Sequence, residues 1–234
     1  MNSVCIIIGV AFFLCVMVNW IRGMFKALLS VAGLIASIAV AVYAAPHLSG
    51  YLEENTQIDE KIAAYIADKL EYSEVGEELS RSVQVAVIQQ LPLPETIKSN
   101  ILDNNNSEMY HLLEAGGVYE YIAKSLAVVI LNGIVFLGLT LLCRLIFFVL
   151  AQTVKDLTKL PIVRWIDKIG GGVLGALKGL VYIWVFFLVL SISSTFEWSR
   201  LMIMQINDSQ ILKLLYDNNI LLDIVGDLTK ILFL

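Results

Sequence analysis

Histidine, cysteine and charge are all scarce in this chain, and each scarcity removes a class of function. The only histidines are His47 and His111, far apart in sequence, and there is no His-Glu-x-x-His, no Cys-x-x-Cys and no phosphate-binding loop. Metal-assisted hydrolysis and nucleotide chemistry therefore lack their usual side chains, and no cofactor or metal is expected. Two of the three cysteines, Cys5 and Cys15, fall in the first apolar run and Cys143 falls in a later one. Isolated thiols in such runs pack as small hydrophobes and do not build a disulfide framework. Phe12, Phe13 and Leu14 precede Cys15, without the small residue that a lipoprotein attachment site places there. Charged residues make up 16% of the chain, against about a quarter in a soluble domain. The net charge of −5 offers no basic footprint for nucleic acid.

What the chain has in abundance is apolar sequence: 58% of its 234 residues are hydrophobic. Four runs stand out. The first, Val4 to Trp20, is 17 residues with Asn19 as its one strongly polar member. It has neither the basic leader nor the small-residue cleavage site of a signal peptide, so it reads as a retained span. Ile21-Arg22-Gly23-Met24 makes a tight turn into the second run, Phe25 to Ala45. The third run, Ser125 to Cys143, is uncharged for 19 residues and contains Asn132. The fourth extends from Ile169 to Ile192 with Lys178 as its one charge. The fold class expected is all-α: a polytopic membrane protein with four transmembrane helices.

Glycine is placed with a helical period. Gly171, Gly175 and Gly179 recur every fourth residue and so share one helix face. In water each would weaken a helix by roughly 1 kcal/mol. In lipid, where no water competes for the backbone, such a stripe admits a second helix at close range. Gly33, Ser37, Ala41 and Ala45 form a second ladder, and the expectation is that the two ladders face each other.

Between the spans, residues 46–124 carry 14 acidic and 5 basic side chains. Ile58, Ile62, Ile66 and Leu70 lie at four-residue steps, with Thr56 placed as an N-cap. Val75, Leu79, Val83 and Val87 repeat the pattern behind Ser73. Leu91-Pro92-Leu93-Pro94 breaks it, Ile97, Ile101 and Leu102 suit a short helix, and Asp103 to Ser107 suits a loop. The tail, 193–234, ends in an amphipathic stretch with Ile211, Leu215, Leu222, Val225, Leu228 and Leu232 on one side. It is expected to lie at the membrane surface or on the insertion. The organisation expected is a first hairpin over 1–45, an acidic helical insertion over 46–124, a second hairpin over 125–192 and an amphipathic tail over 193–234.

Positive charge orients the spans. Arg22 and Lys26 flank the first turn, and five basic residues lie between Arg144 and Lys168. Both segments fall on one side of a four-span protein, which makes that side cytoplasmic and puts both termini, the insertion and the tail outside.

The Ile21-Arg22-Gly23-Met24-Phe25-Lys26 turn, and the Asp167-Lys168 pair followed by Gly171-x-x-x-Gly175-x-x-Lys178-Gly179, resemble the two signature regions of the colicin V production protein (CvpA) family. The resemblance covers the spans, roughly 1–45 and 125–192, and not the insertion. It implies a protein of the bacterial cytoplasmic membrane tied to production or export of a peptide toxin. It implies no catalytic residues.

The candidate residues are therefore Arg22, Gly23, Asn132, Asp167, Gly171, Gly175, Lys178 and Gly179. Arg22 and Asp167 are expected to pair across the two hairpins, with Lys178 as an alternative partner for Asp167. Lys178 otherwise extends its ammonium to the headgroups, or meets Ser30 or Ser37. Asn132 suits an interhelical hydrogen bond or the lining of a path. The functions expected are a non-enzymatic accessory or scaffold protein with a membrane or envelope partner or a second copy of itself, or else a small channel or transporter subunit.

Overall fold

The computed structural model describes residues 3–69, 81–91, 93–153 and 164–231. Among these the regular structure is helical throughout. Four helices are long and apolar enough to cross a membrane: α1 (Ser3–Arg22), α2 (Met24–Asn55), α7 (Val118–Thr153) and α8 (Arg164–Ile192). Their outward faces carry Ile7, Phe13, Ile35, Leu141, Val149 and Val173, all exposed. Contiguous apolar surface on that scale is unstable against water and matches lipid, so the chain is a multi-pass membrane protein.

Two spans run past the ends of their apolar sequences. α2 continues through Pro46 to Asn55, ten residues beyond the expected boundary at Ala45. Proline costs one backbone hydrogen bond but does not break a helix held by its neighbours. Thr56 ends α2: its backbone N–H and its hydroxyl both donate to the Leu52 carbonyl. It therefore closes α2 and does not start α3 (Ile58–Lys69), correcting the N-cap expected of it. α7 begins before Ser125 and passes Arg144 without a break.

α7 is apolar on every side and sits at the centre, as such helices do. Tyr121, Ile122, Ala127, Leu131 and Phe136 are buried in one core with Ala41 and Ala45 of α2, Ile66 of α3 and Leu188 of α8. The insertion closes the same core. α4 (Arg81–Gln90) contributes Ile88 and α5 (Glu95–Asp103) contributes Ile97 and Ile101, while Met109 and Tyr110 of α6 (Ser107–Leu112) pack against this core, half-buried. The Tyr121 hydroxyl donates to the Ile101 carbonyl at 2.7 Å, tying α5 to the span. Asn106 caps α6 by accepting from the Met109 N–H at 3.0 Å. Leu70, Ser73, Val75 and Leu79 lie outside the described residues.

The tail is three helices instead of one amphipathic rod: α9 (Glu197–Asn207), α10 (Gln210–Asp217) and α11 (Ile220–Ile231). Its capping side chains account for the breaks. Ser209 accepts from the Leu212 N–H. Asn219 accepts from the Leu221 N–H at 3.0 Å and donates to the Trp184 carbonyl of α8 at 3.0 Å. Each break resets the helical phase, so Leu212 and Tyr216 are buried while Ile211 points outward. Tyr216 packs edge-on against Phe187 and shares a hydrogen bond with Ser191. Burial raises the pKa of its hydroxyl far above the ordinary tyrosine range, so it stays neutral.

α11 rests on α5, α7, α2 and α8, and Gly226 lies against Asn100 of α5. The tail thus docks on the insertion. Ser3 at the start of α1 donates to Gln205 of α9 at 3.0 Å, so the first residues, the insertion and the tail gather at one end of the bundle. Truncation after Ser194 should leave the four spans inserted. It should also uncover Leu126, Leu131 and Ile101 and make residues 46–124 more sensitive to protease. Unchanged protease resistance would show that the tail's contacts carry no stability.

Candidate functional site

The glycine stripe of α8 packs against α1, not against α2. A Cβ on Gly171 would collide with the Asn19 carbonyl oxygen and approach the Gly23 backbone. One on Gly175 would lie 2.8 Å from Asn19 Cβ and 3.1 Å from the Cys15 carbonyl, and one on Gly179 would lie 2.9 Å from Phe12. The two backbones therefore meet at Gly171 and Gly175, and the Phe12 side chain fills the space at Gly179. Asn19 makes this possible. It is 2% exposed, and its amide donates to the Cys15 carbonyl of its own helix at 2.7 Å. That bond satisfies the amide's N–H inside α1 and leaves the facing surface smooth. The α2 ladder has a different partner: Gly33 lies against Arg144 and Phe147 of α7, and Ala41 and Ala45 sit in the α7 core. The expected ladder-on-ladder seam is thus two separate seams. Small residues permit close approach, but they do not select the partner.

At the other end of the stripe, α1 and α2 are joined by Gly23 alone. Its φ of 84° and ψ of 163° fall in a region that essentially only glycine enters. Here the second hairpin reaches the first. The Met24 N–H, an orphan donor at the start of α2, donates to Asp167 Oδ1 of α8 at 2.8 Å. A carboxylate suits that position, because it meets both the free N–H and the positive end of the helix dipole. Asp167 is packed so tightly on Gly23 that a Cβ there would overlap the carboxylate.

The expected Arg22–Asp167 ion pair is not formed. Arg22 ends α1 exposed, and no ion pair joins it to Asp167 among the described residues. The chain turns away at Gly23 and offers its backbone N–H to the carboxylate instead. Nor is Lys178 a partner for Asp167. Eleven residues separate them along α8, about 16 Å of rise.

Lys178 does not extend to the headgroups either. It is 7% exposed. Its ammonium donates to Ser30 Oγ of α2 at 2.8 Å and lies 5.4 Å from the centre of the Tyr182 ring. Arg144 of α7 donates Nη2 to the same Ser30 oxygen at 2.9 Å. Three helices thus bring two cations to one hydroxyl. The Lys178–Ser30 contact was one of the pairings legible in sequence. In sequence Arg144 counts only as one of the five basic residues that orient the spans and as the charge that follows the third run.

Asn132 is fully buried in α7, and neither its amide oxygen nor its nitrogen has a hydrogen-bond partner. Thr140 Oγ1 and Trp184 Nε1 are unpartnered in the same way. The interhelical bond expected of Asn132 is absent. Asn132→Leu keeps the volume and removes a desolvated amide. It should hold or raise the thermal midpoint of the purified protein. A clear fall would mean that the amide has a partner in the membrane.

The candidates therefore fall in three places: Arg22, Gly23, Asp167 and Gly171 at the turn, Gly175, Lys178 and Gly179 further up the bundle, and Asn132 beyond them. Gly133, next to Asn132, lies against Ile192 at the end of α8. No curated protein and no solved structure matches the chain. The family described as Colicin V production protein matches residues 110–219. That segment contains Asn132, Asp167, Gly171, Gly175, Lys178 and Gly179 but not the Arg22–Gly23 turn. The matched segment holds α7, α8, α9 and α10, and over it the chain is similar to the colicin V production protein family.

Proposed function

We propose that this protein is a non-enzymatic accessory or scaffold protein of the bacterial cytoplasmic membrane. Its role would be to support production or export of a colicin V-type toxin, or upkeep of the envelope, through a protein partner. The observation that carries this reading is the joint body at one end of the bundle, where α3 and α5 of the insertion and α11 of the tail pack on α7. Such a body is a rigid face for a partner, anchored by the spans. The geometry around Ser30 also favours a non-enzymatic role. Both lone pairs of its oxygen face N–H donors, so the hydroxyl is poorly arranged as a nucleophile.

The basic segments on either side of Gly23 and before α8 support an orientation with that end in the cytoplasm and the insertion and both termini outside. In intact cells, cysteines introduced at Ser107 and Thr195 should label with an impermeant maleimide, and one introduced at Thr158 should not. Labelling at 158 alone reverses the orientation. Crosslinking in native membranes followed by mass spectrometry tests the role itself. A reproducible partner on the insertion or tail supports it, and recovery of the chain by itself in every preparation counts against it.

One observation favours a second reading, a small channel or transporter subunit: the unpartnered Asn132 and Thr140 inside α7. Solute flux in liposomes containing the purified chain, abolished by Asn132→Leu, would replace the first reading with the second.

A further inference from the structure

We propose that Lys178, Arg144 and Ser30 form a binding site for a phosphate-type oxyanion. The site goes beyond the accessory reading and does not depend on it. The ammonium and the guanidinium reach one oxygen at 2.8 and 2.9 Å. Neither has a carboxylate within 4.0 Å among the described residues, whose ion pairs are Lys98–Glu95, Lys124–Glu120 and Lys213–Asp217. Two like charges are therefore held side by side within a bundle of membrane-spanning helices. Cations inside a membrane protein normally pair with an acid or a carbonyl, and a charge left without a partner there is costly.

The donor inventory points the same way. Ser30 Oγ accepts from both cations, which leaves its O–H as a donor. Lys178 has two further N–H groups and Arg144 has four. The Tyr182 ring takes up part of the Lys178 charge, but an aromatic face supplies no hydrogen-bond acceptor of the strength an ammonium requires. A site made of donors alone calls for a ligand made of acceptors. The Arg144 fork fits two oxygens of one tetrahedral group, and Lys178 adds a point charge. Arg144 is seated by Gly33, where a Cβ would come 2.9 Å from Nη1. Any side chain on Gly33 would thus displace the guanidinium. Lys178 is buried while Arg144 is half-buried, so a ligand enters from the Arg144 side.

The site lies six residues into α2, about 9 Å along its axis, within reach of a lipid phosphate at that end of the bundle. Inorganic phosphate presents the same oxygens. The full chain, purified in a maltoside detergent and stripped of lipid, separates the two sources. Its thermal midpoint is followed during titration with sodium phosphate, with phosphatidylglycerol, and with a phosphate-free glucosyl diacylglycerol as control. Stabilisation by phosphatidylglycerol alone assigns a lipid headgroup, and stabilisation by sodium phosphate assigns a free anion. Arg144→Gln and Lys178→Gln should each weaken the effective ligand by about tenfold or more. If either glutamine variant fails to fold, Arg144→Lys serves, since it keeps the charge and loses the fork. The proposal is overturned if neither phosphate source stabilises the wild-type chain beyond the glycolipid. It is equally overturned if the folded variants respond as the wild type does.

Discussion

Gly175→Leu should abolish the folded protein, while Leu177→Ala two residues away should cost little. Gly175 is buried between the α1 and α8 backbones, where even a Cβ would meet Asn19 Cβ at 2.8 Å and the Cys15 carbonyl at 3.1 Å. The carbonyl belongs to a helix backbone and the Cβ is fixed directly to it, so neither can rotate away. An isobutyl group would push α1 outward along its length and open the contacts at Gly171 and Gly179 as well. Overpacking of an ordinary core costs about 1–3 kcal/mol, and a backbone-on-backbone seam should exceed that range. Leu177 is 48% exposed and looks toward lipid. Gly9, with nothing within 4 Å of a built Cβ, gives a matched control: Gly9→Leu should be tolerated. Monodisperse yield by size-exclusion chromatography is the measurement. Comparable yields for Gly175→Leu and Gly9→Leu would mean that the stripe faces lipid.

Gly23→Ala should be nearly as damaging, through two separable terms. The backbone of Gly23, at φ 84° and ψ 163°, costs any other residue roughly 1–3 kcal/mol. The added methyl also overlaps the Asp167 carboxylate, forcing it off the Met24 N–H. Asp167→Ala alone loses that hydrogen bond and its favourable place at the helix end. A bond to a charged group contributes about 1.5–3 kcal/mol. The double variant Gly23→Ala/Asp167→Ala should therefore be less damaged than the sum of the singles, because the overlap is relieved while the backbone cost remains. Additive losses would show that the contact is slack. Arg22→Ala should cost little in the same assay, since Arg22 is exposed and unpaired with Asp167; a loss matching that of Asp167→Ala would restore the pair between them.

Much of this architecture was legible in the chain because it is local. Four apolar runs, the basic turn at Arg22 to Lys26, and the period of Gly171, Gly175 and Gly179 are properties of neighbouring residues. They are enough for four spans and for a face that admits another helix. The Leu91–Pro94 break was equally readable, since proline acts on its own backbone. The family resemblance also rested on local motifs, and its second half lies inside the matched segment.

The sequence by itself determined that the chain is helical, spans the membrane four times and carries two seams of small residues. Only the tertiary structure decided which helices those seams join, because a glycine stripe leaves space without naming what fills it. Asn19, bonded back to Cys15, gave α1 the smooth surface that took the α8 stripe. Asp167 could pair with a cation or cap its own helix, but the turn at Gly23 placed a free N–H within 2.8 Å, and that donor won. Arg144, Ser30 and Lys178 are each ordinary at their positions in sequence. Their convergence depends on the rotation and rise of α2, α7 and α8 together, which no stretch of chain specifies alone. Tail helix phase followed the same logic, set by the caps at Ser209 and Asn219, where a side chain replaces the next backbone bond and the periodicity starts again.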